Sequence, residues 1–118
     1  MDQTLHLRDW LGRRVDVIVD RPLGSLHPRH PDIRYAVNYG YIPGTCAPDG
    51  EPLDVYVLGP GEPIASCTAT VVAIIRRRDD AEDKLVAVTE GQFGVDEIAA
   101  ATDFQERYFD SYIEASPR

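Results

Sequence analysis

Nine prolines and nine glycines divide this chain of 118 residues into short apolar runs. Proline cannot donate to a β-ladder and glycine favours turns, so this punctuation indicates short strands joined by frequent turns. Five runs have the alternating or β-branched character of strands. They are residues 14–20, 35–42, 53–58, 67–75 and 84–88. The pattern predicts a mainly β domain that closes into a small, strongly curved barrel.

The C-terminal part of the chain has helical character. Residues 95–101 favour a short helix. Thr102 and Gln105 then have the spacing of a capping box, in which a threonine begins a helix and a glutamine three residues later closes the first turn. A second helix is therefore predicted at about residues 103–112, with one apolar face packed on the sheet.

The length predicts one domain, residues 1–118, large enough to bury a core without metal or disulfide bonds. The net charge of -8 disfavours nucleic acid and anionic membranes as partners, because both carry negative charge. No apolar run approaches the ~20 residues of a membrane span, and the N-terminus lacks the apolar region of a secretory signal. Cys46 and Cys67 form no CxxC pair, so we expect free thiols in a reducing cytoplasm.

The sequence DGEPLD at residues 49–54 places three carboxylates within six residues. Such a cluster is either a solvated acidic turn or a site for a hard divalent cation, which prefers oxygen ligands. Asp54 lies among apolar residues, where an unpaired charge is costly. That position favours the cation.

A second acidic segment, DDAEDK at residues 79–84, connects two predicted strands. A charged turn facing solvent is the commoner case. The alternative is a second set of metal-binding carboxylates, with Lys84 facing a phosphate.

Cations and tyrosines suggest how an acidic protein could bind a phosphate. Residues 26–34 contain two histidines, two arginines and two prolines, which predict an irregular cationic loop. Arg21 follows a strand and offers a planar fork suited to phosphate, although a surface ion pair would also explain it. Tyr39 lies in NYGYIPG, where its hydroxyl is either a core group with a partner or a donor to an anion.

Five motifs in this order resemble the soluble, metal-dependent inorganic pyrophosphatases of family I, which have an OB-like barrel. The resemblance extends from about residue 15 to residue 108, and the order of motifs is more specific than any one of them. It implies a mainly β fold, a five-stranded OB-like closed barrel with a short helix and a C-terminal helix packed on it. The motifs are VDR at 19–21, NYGYI at 38–42, DGEPLDV at 49–55, KLVAV at 84–88 and FQERY at 104–108.

The resemblance also implies a site in which several Mg²⁺ ions, or Mn²⁺, bridge carboxylates and pyrophosphate. Metal ligands would come from the first acidic loop and from the acidic turn, where Asp79 or Asp80 and Glu82 or Asp83 can match. The metal ligands predicted on this basis are Asp49, Asp54, Asp80 and Asp83. The phosphate-binding positions that match are Arg21, Tyr39, Lys84 and Tyr108.

The chain departs from the family pattern at several points. Glu51 replaces the usual aspartate associated with the attacking water, and a shift of about 1 Å there can cost ~10²-fold in rate. Phe109 replaces a lysine, and no counterpart of the family's long N-terminal segment is expected. We hypothesise that Arg29, Arg34 or a histidine of the loop at 26–34 supplies the missing positive charge.

The predicted function is metal-dependent hydrolysis of inorganic pyrophosphate, with Glu51 as the catalytic residue that orients or deprotonates a water molecule. Two alternatives remain open. One is hydrolysis of another phosphoanhydride, such as a nucleotide or an organic diphosphate. The other is a degenerate module that binds metal or phosphate without turnover. Small barrels with exposed edges, and members of this family, often assemble, so a homo-oligomer is expected.

Overall fold

Six strands and one α-helix are present in the part of the chain that the computed structural model describes, residues 6–47, 50–79 and 82–115. A 3-10 helix at Leu7–Trp10 precedes the first strand. The five predicted strands are all present, and a sixth follows the helix. The elements are β1 (Arg14–Arg21), β2 (Asn38–Ile42), β3 (Leu53–Leu58), β4 (Ser66–Arg77), β5 (Lys84–Val88), α1 (Val95–Glu106) and β6 (Ser111–Ala115).

Strands β1 to β5 close into a barrel. Their order is β1-β2-β3-β5-β4, and β1 pairs again with β4 to complete the ring. The β3–β5 pairing is parallel and the other pairings are antiparallel. The long strand β4 changes register between Val71 and Ala73, and such a bulge bends a strand. One half of β4 can therefore pair with β1 while the other half pairs with β5 and β6.

The core has two parts because several strands are buried on both faces. In β3, Val55 and Val57 point into one apolar cluster, whereas Tyr56 and Leu58 point into the other. Helix α1 covers the second cluster and contributes the fully buried Ile98. The functional side chains described below lie on the tyrosine-rich side of the barrel.

Gly40 permits the close approach of β1 and β2. A Cβ atom at this position would overlap the carbonyl oxygen of Ile18 on the neighbouring strand. Only glycine fits here without moving one backbone, which explains the glycine inside the NYGYI motif.

The mainly β, closed five-stranded barrel is confirmed, but the two-helix arrangement of the C-terminal segment is wrong. Helix α1 is continuous from Val95 to Glu106, with Gly94 as its N-cap. Thr102 lies inside it, and its hydroxyl donates to the Ile98 carbonyl oxygen over 2.9 Å. A threonine bonded in this way continues a helix and does not start one.

The segment predicted as the end of a second helix forms β6 instead. Residues 111–115 pair with residues 73–77 of β4, whose edge is otherwise open on that side. In the described residues, no helix is both long enough and apolar enough to cross a membrane.

Candidate active site

One cavity of about 880 Å³ collects seven of the side chains singled out from the sequence. They are Arg21, Arg29, Tyr39, Glu51, Asp54, Lys84 and Tyr108. Side chains to which the sequence analysis gave no role in the site also line it. These are Asp20, Tyr41, Arg77 and Gln105.

Strand register brings the central residues together. Arg21 lies opposite Tyr39 across the β1–β2 ladder, and Tyr41 lies opposite Asp54 across β2–β3. Asp54 and Lys84 each precede the first aligned pair of the parallel β3–β5 ladder, so they are neighbours. Cations, a carboxylate and tyrosines from four strands therefore meet at one end of the barrel.

A β-bulge lets two successive residues of β1 face the cavity. Side chains of a regular strand alternate between its faces, so Asp20 and Arg21 would normally point in opposite directions. The β1–β2 register shifts between Val19 and Arg21, which breaks this alternation, and both Asp20 and Arg21 line the cavity. Asp20 was missed because a bulge leaves no clear mark in the residue pattern.

Arg21 is held by two tyrosines. Its Nη1 donates to the Tyr35 hydroxyl oxygen over 2.6 Å. Its guanidinium carbon lies 5.8 Å from the ring centroid of Tyr35 and 5.7 Å from that of Tyr39. These contacts fix the position of the guanidinium and leave its other N–H groups for an anion.

Lys84 is a buried cation with a carboxylate partner. Its side chain is 4% exposed, and its Nζ donates to Asp54 Oδ2 over 2.7 Å and to Glu82 Oε1 over 3.4 Å. Burial alone would lower the pKa of Lys84, but its electrostatic interactions and hydrogen bonds with Tyr39 and Asp54 raise the pKa above the usual value. Lys84 is therefore positively charged at neutral pH.

Tyr39 is neutral in the same environment. Burial is the main cause that raises the pKa of its hydroxyl well above the usual value. It can therefore donate a hydrogen bond to an anion across the neutral pH range.

The acidic turn resolves one alternative left open by the sequence. Of Glu82 and Asp83, Glu82 lines the cavity. Asp83 accepts from the Arg77 backbone N–H over 2.9 Å and forms an ion pair with Arg76 at 3.3 Å. The prediction that Asp83 faces the site is therefore wrong, because strand β4 uses this carboxylate.

The other carboxylates predicted as metal ligands differ in where they lie. Asp79 accepts from the Asp110 backbone N–H over 3.1 Å, so it faces the segment after α1. Asp49 and Asp80 lie outside the described residues. Asp54 lines the cavity, and its role as a metal ligand stays a prediction.

The described carboxylates fit a hard divalent cation by their chemistry. Asp20, Glu51, Asp54 and Glu82 all contribute oxygen atoms to one cavity. Burial raises the pKa of Asp20, the Arg21 charge opposes that shift, and the Asp54 charge adds to it. Among residues 6–47, 50–79 and 82–115, no three metal-binding side chains converge on one point.

A buried chain of hydrogen bonds connects the helix to the barrel. Arg77 donates to both oxygens of Glu106, over 3.1 and 2.7 Å, and the Tyr56 hydroxyl donates to Glu106 Oε2 over 2.6 Å. Gln105 Nε2 donates to the Tyr56 hydroxyl oxygen over 2.6 Å, and the Tyr35 hydroxyl donates to Gln105 Oε1 over 2.9 Å.

Each group in this chain has a fixed donor or acceptor role. Tyr35 accepts from Arg21 and donates to Gln105, and Tyr56 accepts from Gln105 and donates to Glu106. In the described residues, no buried side-chain polar atom lacks a partner. We call this series of hydrogen-bonded side chains the Arg77–Arg21 network. It connects α1 to Arg21, a cation of the cavity.

The sequence did contain a signal for this network. Thr102, Gln105 and Glu106 follow Ile98 at helical spacing and are all buried. Polar side chains on the buried face of a helix require hydrogen-bond partners. The capping-box interpretation of Thr102 and Gln105 obscured this face.

The cationic loop at 26–34 forms one wall of the cavity. His27, Arg29 and His30 line it. Arg34 is not among the lining residues, and its Nη1 donates to the Gly24 carbonyl oxygen over 2.7 Å. Of the two arginines in the hypothesis, only Arg29 is placed beside the site.

The residues after α1 form another wall. Tyr108 is 57% exposed and lines the cavity, as does Phe109. The guanidinium of Arg77 lies 3.6 Å from the Phe109 ring centroid. This stacking and the pairing with Glu106 hold Arg77 at the cavity wall.

A closed five-stranded barrel with cations, tyrosines and carboxylates in one cavity defines the class of this molecule, a small β-barrel protein. Residues 15–114 match the family model described as inorganic pyrophosphatase. The chain therefore belongs to the inorganic pyrophosphatase family.

Curated relatives named inorganic pyrophosphatase include two from haloarchaea. The protein of Halobacterium salinarum is 33% identical over 107 residues, which cover 81% of this chain and 57% of the relative. That of Haloferax volcanii is 32% identical over 102 residues, covering 83% and 54%. The chain thus spans a little over half the length of these relatives.

Solved structures agree on the fold. The inorganic pyrophosphatase of Ehrlichia chaffeensis superposes with a TM-score of 0.70 at 22% identity, covering 89% of this chain and 87% of that one. That of Thermus thermophilus gives a TM-score of 0.59 at 18% identity, covering 97% and 86%.

Proposed function

We propose that this protein hydrolyses inorganic pyrophosphate to two phosphates in a metal-dependent reaction. The observation that carries the proposal is the single cavity in which Arg21, Tyr39 and Lys84 meet the carboxylates of Asp54 and Glu51. The cations match the charge of a diphosphate, and the carboxylates match the cation that a diphosphate needs.

Mg²⁺, or Mn²⁺, would be held by Asp54 together with Asp49 and Asp80, and by Glu82 in preference to Asp83. When bound, such ions lower the pKa of a water molecule and neutralise phosphate charge. The donors are all oxygen atoms, which suits these hard cations.

The chain's own cations would bind and orient the diphosphate. Arg21 presents a guanidinium fixed by Tyr35, and Lys84 presents a buried ammonium. The hydroxyls of Tyr39 and Tyr108 would add hydrogen bonds to phosphate oxygens. These groups stabilise the negative charge that grows on the leaving phosphate.

Glu51 would accept the proton of the attacking water. Its side chain is exposed and lines the cavity, so it can reach both solvent and substrate. The water oxygen bonds to one phosphorus, the bridging P–O bond breaks, and the second phosphate leaves with the electron pair. Glu51→Gln should lower kcat by about 10²-fold or more, with a smaller change in KM.

A phosphate-release assay with pyrophosphate tests the function. We expect activity with Mg²⁺ that EDTA abolishes, and Asp54→Asn should reduce kcat severely. Asp16→Asn is a matched control, because Asp16 is an exposed carboxylate of β1 outside the cavity lining. Full activity after EDTA treatment, or in Asp54→Asn, would refute the metal mechanism.

A second candidate is hydrolysis of a larger phosphoanhydride, such as a nucleotide or an organic diphosphate. The cavity volume of about 880 Å³ favours it, because volumes of this order hold drug-sized ligands. The same assay with nucleoside and organic diphosphates separates the two. Absence of phosphate release from every substrate would instead support a binding module without turnover.

We also propose a single domain that assembles into a homo-oligomer in a reducing cytoplasm, with no nucleic-acid or membrane partner. In the described part of the chain, β6 pairs with β4 alone, which leaves one sheet edge for assembly. Cys46 and Cys67 are free thiols, and the net charge is -8. Sedimentation of the purified protein would test the oligomer; a monomer at micromolar concentration would refute it.

A further inference from the structure

The loop at 26–34 has a defined shape that its prolines did not reveal. Leu26 and Arg34 form an isolated antiparallel bridge. The His27 backbone N–H donates to the Ile33 carbonyl oxygen over 2.9 Å, and the Ile33 N–H donates to that of His30 over 2.8 Å. The loop is therefore a closed turn that presents its tip at a fixed place beside the cavity.

Arg29, at the tip of this loop, carries a charge that has no partner among the described residues. Its guanidinium makes no hydrogen bond or ion pair with residues 6–47, 50–79 or 82–115, and it is exposed and lines the cavity. By contrast, Arg21 and Lys84 are bonded to Tyr35 and Asp54. A cation that faces a substrate cavity without a counter-ion suits an anionic ligand.

Two histidines lie beside Arg29. The Arg29 backbone N–H donates to His27 Nδ1 over 3.1 Å, so a neutral His27 carries its proton on Nε2 and can donate it. The His30 ring centroid is 4.9 Å from that of His27. Burial and the positive charges of Arg21, His30 and Arg29 lower the pKa of His27, which shows an excess of positive potential here. Asp32, an acid on the same loop, also lines the cavity.

This cationic group adjoins the inner site. The His27 ring stacks on Tyr35, with centroids 6.2 Å apart and planes 13° apart. The hydroxyl of the same Tyr35 holds Arg21. One tyrosine therefore separates the loop cations from the cation proposed to bind a diphosphate, and the cavity is continuous between them.

We propose that Arg29, His27 and His30 form an outer phosphate subsite, which takes the third phosphate of a linear triphosphate while Arg21 and Lys84 hold the first two. The proposal rests on the proposed function, because it extends the same site. Water adds to the first phosphorus, and its proton passes to Glu51. The first bridging P–O bond breaks, and pyrophosphate leaves with the electron pair. The products are phosphate and pyrophosphate.

The test compares kcat/KM for inorganic triphosphate and for pyrophosphate in the chain of residues 1–118 with Mg²⁺. Arg29→Ala should lower the triphosphate-to-pyrophosphate ratio about tenfold or more, mainly through KM, since one charge-assisted hydrogen bond is lost. Arg29→Lys should restore part of the ratio. Arg14→Ala, which removes the same charge at the far end of β1, should leave it unchanged. An equal loss for both substrates in Arg29→Ala, or no loss for either, overturns the outer subsite.

Binding measurements keep this proposal separate from the proposed function. If the wild-type protein releases no phosphate from any substrate, the proposed hydrolysis fails, and calorimetry with inorganic triphosphate and pyrophosphate still examines the subsite. Tighter binding of triphosphate that Arg29→Ala abolishes supports it, and equal affinities in both proteins overturn it. A parallel titration with ATP distinguishes the source of the third phosphate: a response like that of inorganic triphosphate extends the subsite to nucleotides, and a response confined to inorganic triphosphate restricts it to the free chain.

Discussion

Gln105 of α1 accepts a hydrogen bond from the Tyr35 hydroxyl over 2.9 Å, and that hydroxyl accepts one from Arg21 over 2.6 Å. Gln105 thus determines the position of Arg21 in the cavity indirectly, because its own side chain bonds to Tyr35 and Tyr56. Gln105 is a positioning residue in this arrangement.

Replacement of Gln105 by leucine should affect both stability and substrate binding. Tyr35 loses its acceptor and Tyr56 loses its donor, and one such buried loss costs about 1–3 kcal/mol in the free energy of unfolding. KM for pyrophosphate should rise, because Arg21 is less well held. Denaturant unfolding and steady-state kinetics measure the two effects. Gln92→Leu, the same change at an exposed residue, is the control; a KM identical in both variants would contradict the positioning role.

The buried ion pair between Arg77 and Glu106 should contribute far more to the free energy of unfolding than the exposed Asp103–Arg107 pair. Their side chains are 3% and 7% exposed, so Glu106→Gln leaves Arg77 without its buried counter-charge. The expected loss is about 3–5 kcal/mol in the free energy of unfolding. Asp103→Asn breaks the exposed pair with Arg107 and should cost about 0.5 kcal/mol or less. Thermal or denaturant unfolding measures both variants. Similar losses in Glu106→Gln and Asp103→Asn would show that burial does not determine the strength of the Arg77–Glu106 pair.

Gly40→Ala should be among the most damaging small substitutions. The added methyl group would overlap the carbonyl oxygen of Ile18, so β1 and β2 must separate. We expect a loss of about 3 kcal/mol or more, the upper range for overpacking. Gly61→Ala is the matched control, because a Cβ atom there meets nothing within 4 Å. Circular dichroism melting curves compare the two, and an intact Gly40→Ala protein with wild-type stability would refute the close-contact argument.

His27 should titrate below its usual value of 6.5 in the folded protein. The lowered pKa means that the unfolded chain binds more protons between the folded pKa and about 6.5, so stability rises with pH across that window and falls as the pH drops through it. NMR titration of the imidazole gives the value directly. Arg29→Ala should raise the pKa of His27, because a nearby positive charge is removed, whereas Arg14→Ala should not. A lower pKa of His27 in Arg29→Ala would contradict the electrostatic explanation.

Much of the fold followed from the residue pattern because the strands are short and strongly patterned. All five predicted strands are present, and β3 and β5 have the predicted bounds of residues 53–58 and 84–88. Strand β6 escaped notice because residues 111–115 become a strand only by pairing with the open edge of β4. Tertiary pairing of this kind is not contained in local propensity.

The site was predicted through single residues, and its connections were not. Arg21, Tyr39, Asp54 and Lys84 have chemically distinctive side chains at strand ends, and the cavity contains all four. The bulge that turns Asp20 inward depends on two strands at once and so could not be inferred from one. The metal roles of Asp49, Asp54 and Asp80, the phosphate-binding roles of the cations and tyrosines, and the catalytic role of Glu51 stay predictions.

The Arg77–Arg21 network makes the order of folding matter for the site. Its members come from β1, β3, β4, α1 and the segment before β2, so the network joins side chains as far apart as residues 35 and 105. A chain still emerging from the ribosome would have formed the β1–β2 hairpin long before Gln105 was available to hold Tyr35. Contacts of such long range also slow folding, since distant loops must close first. The cavity would therefore become competent for its ligand only after α1 has been synthesised, and a truncated translation product that ends before α1 would present Arg21 in the wrong place.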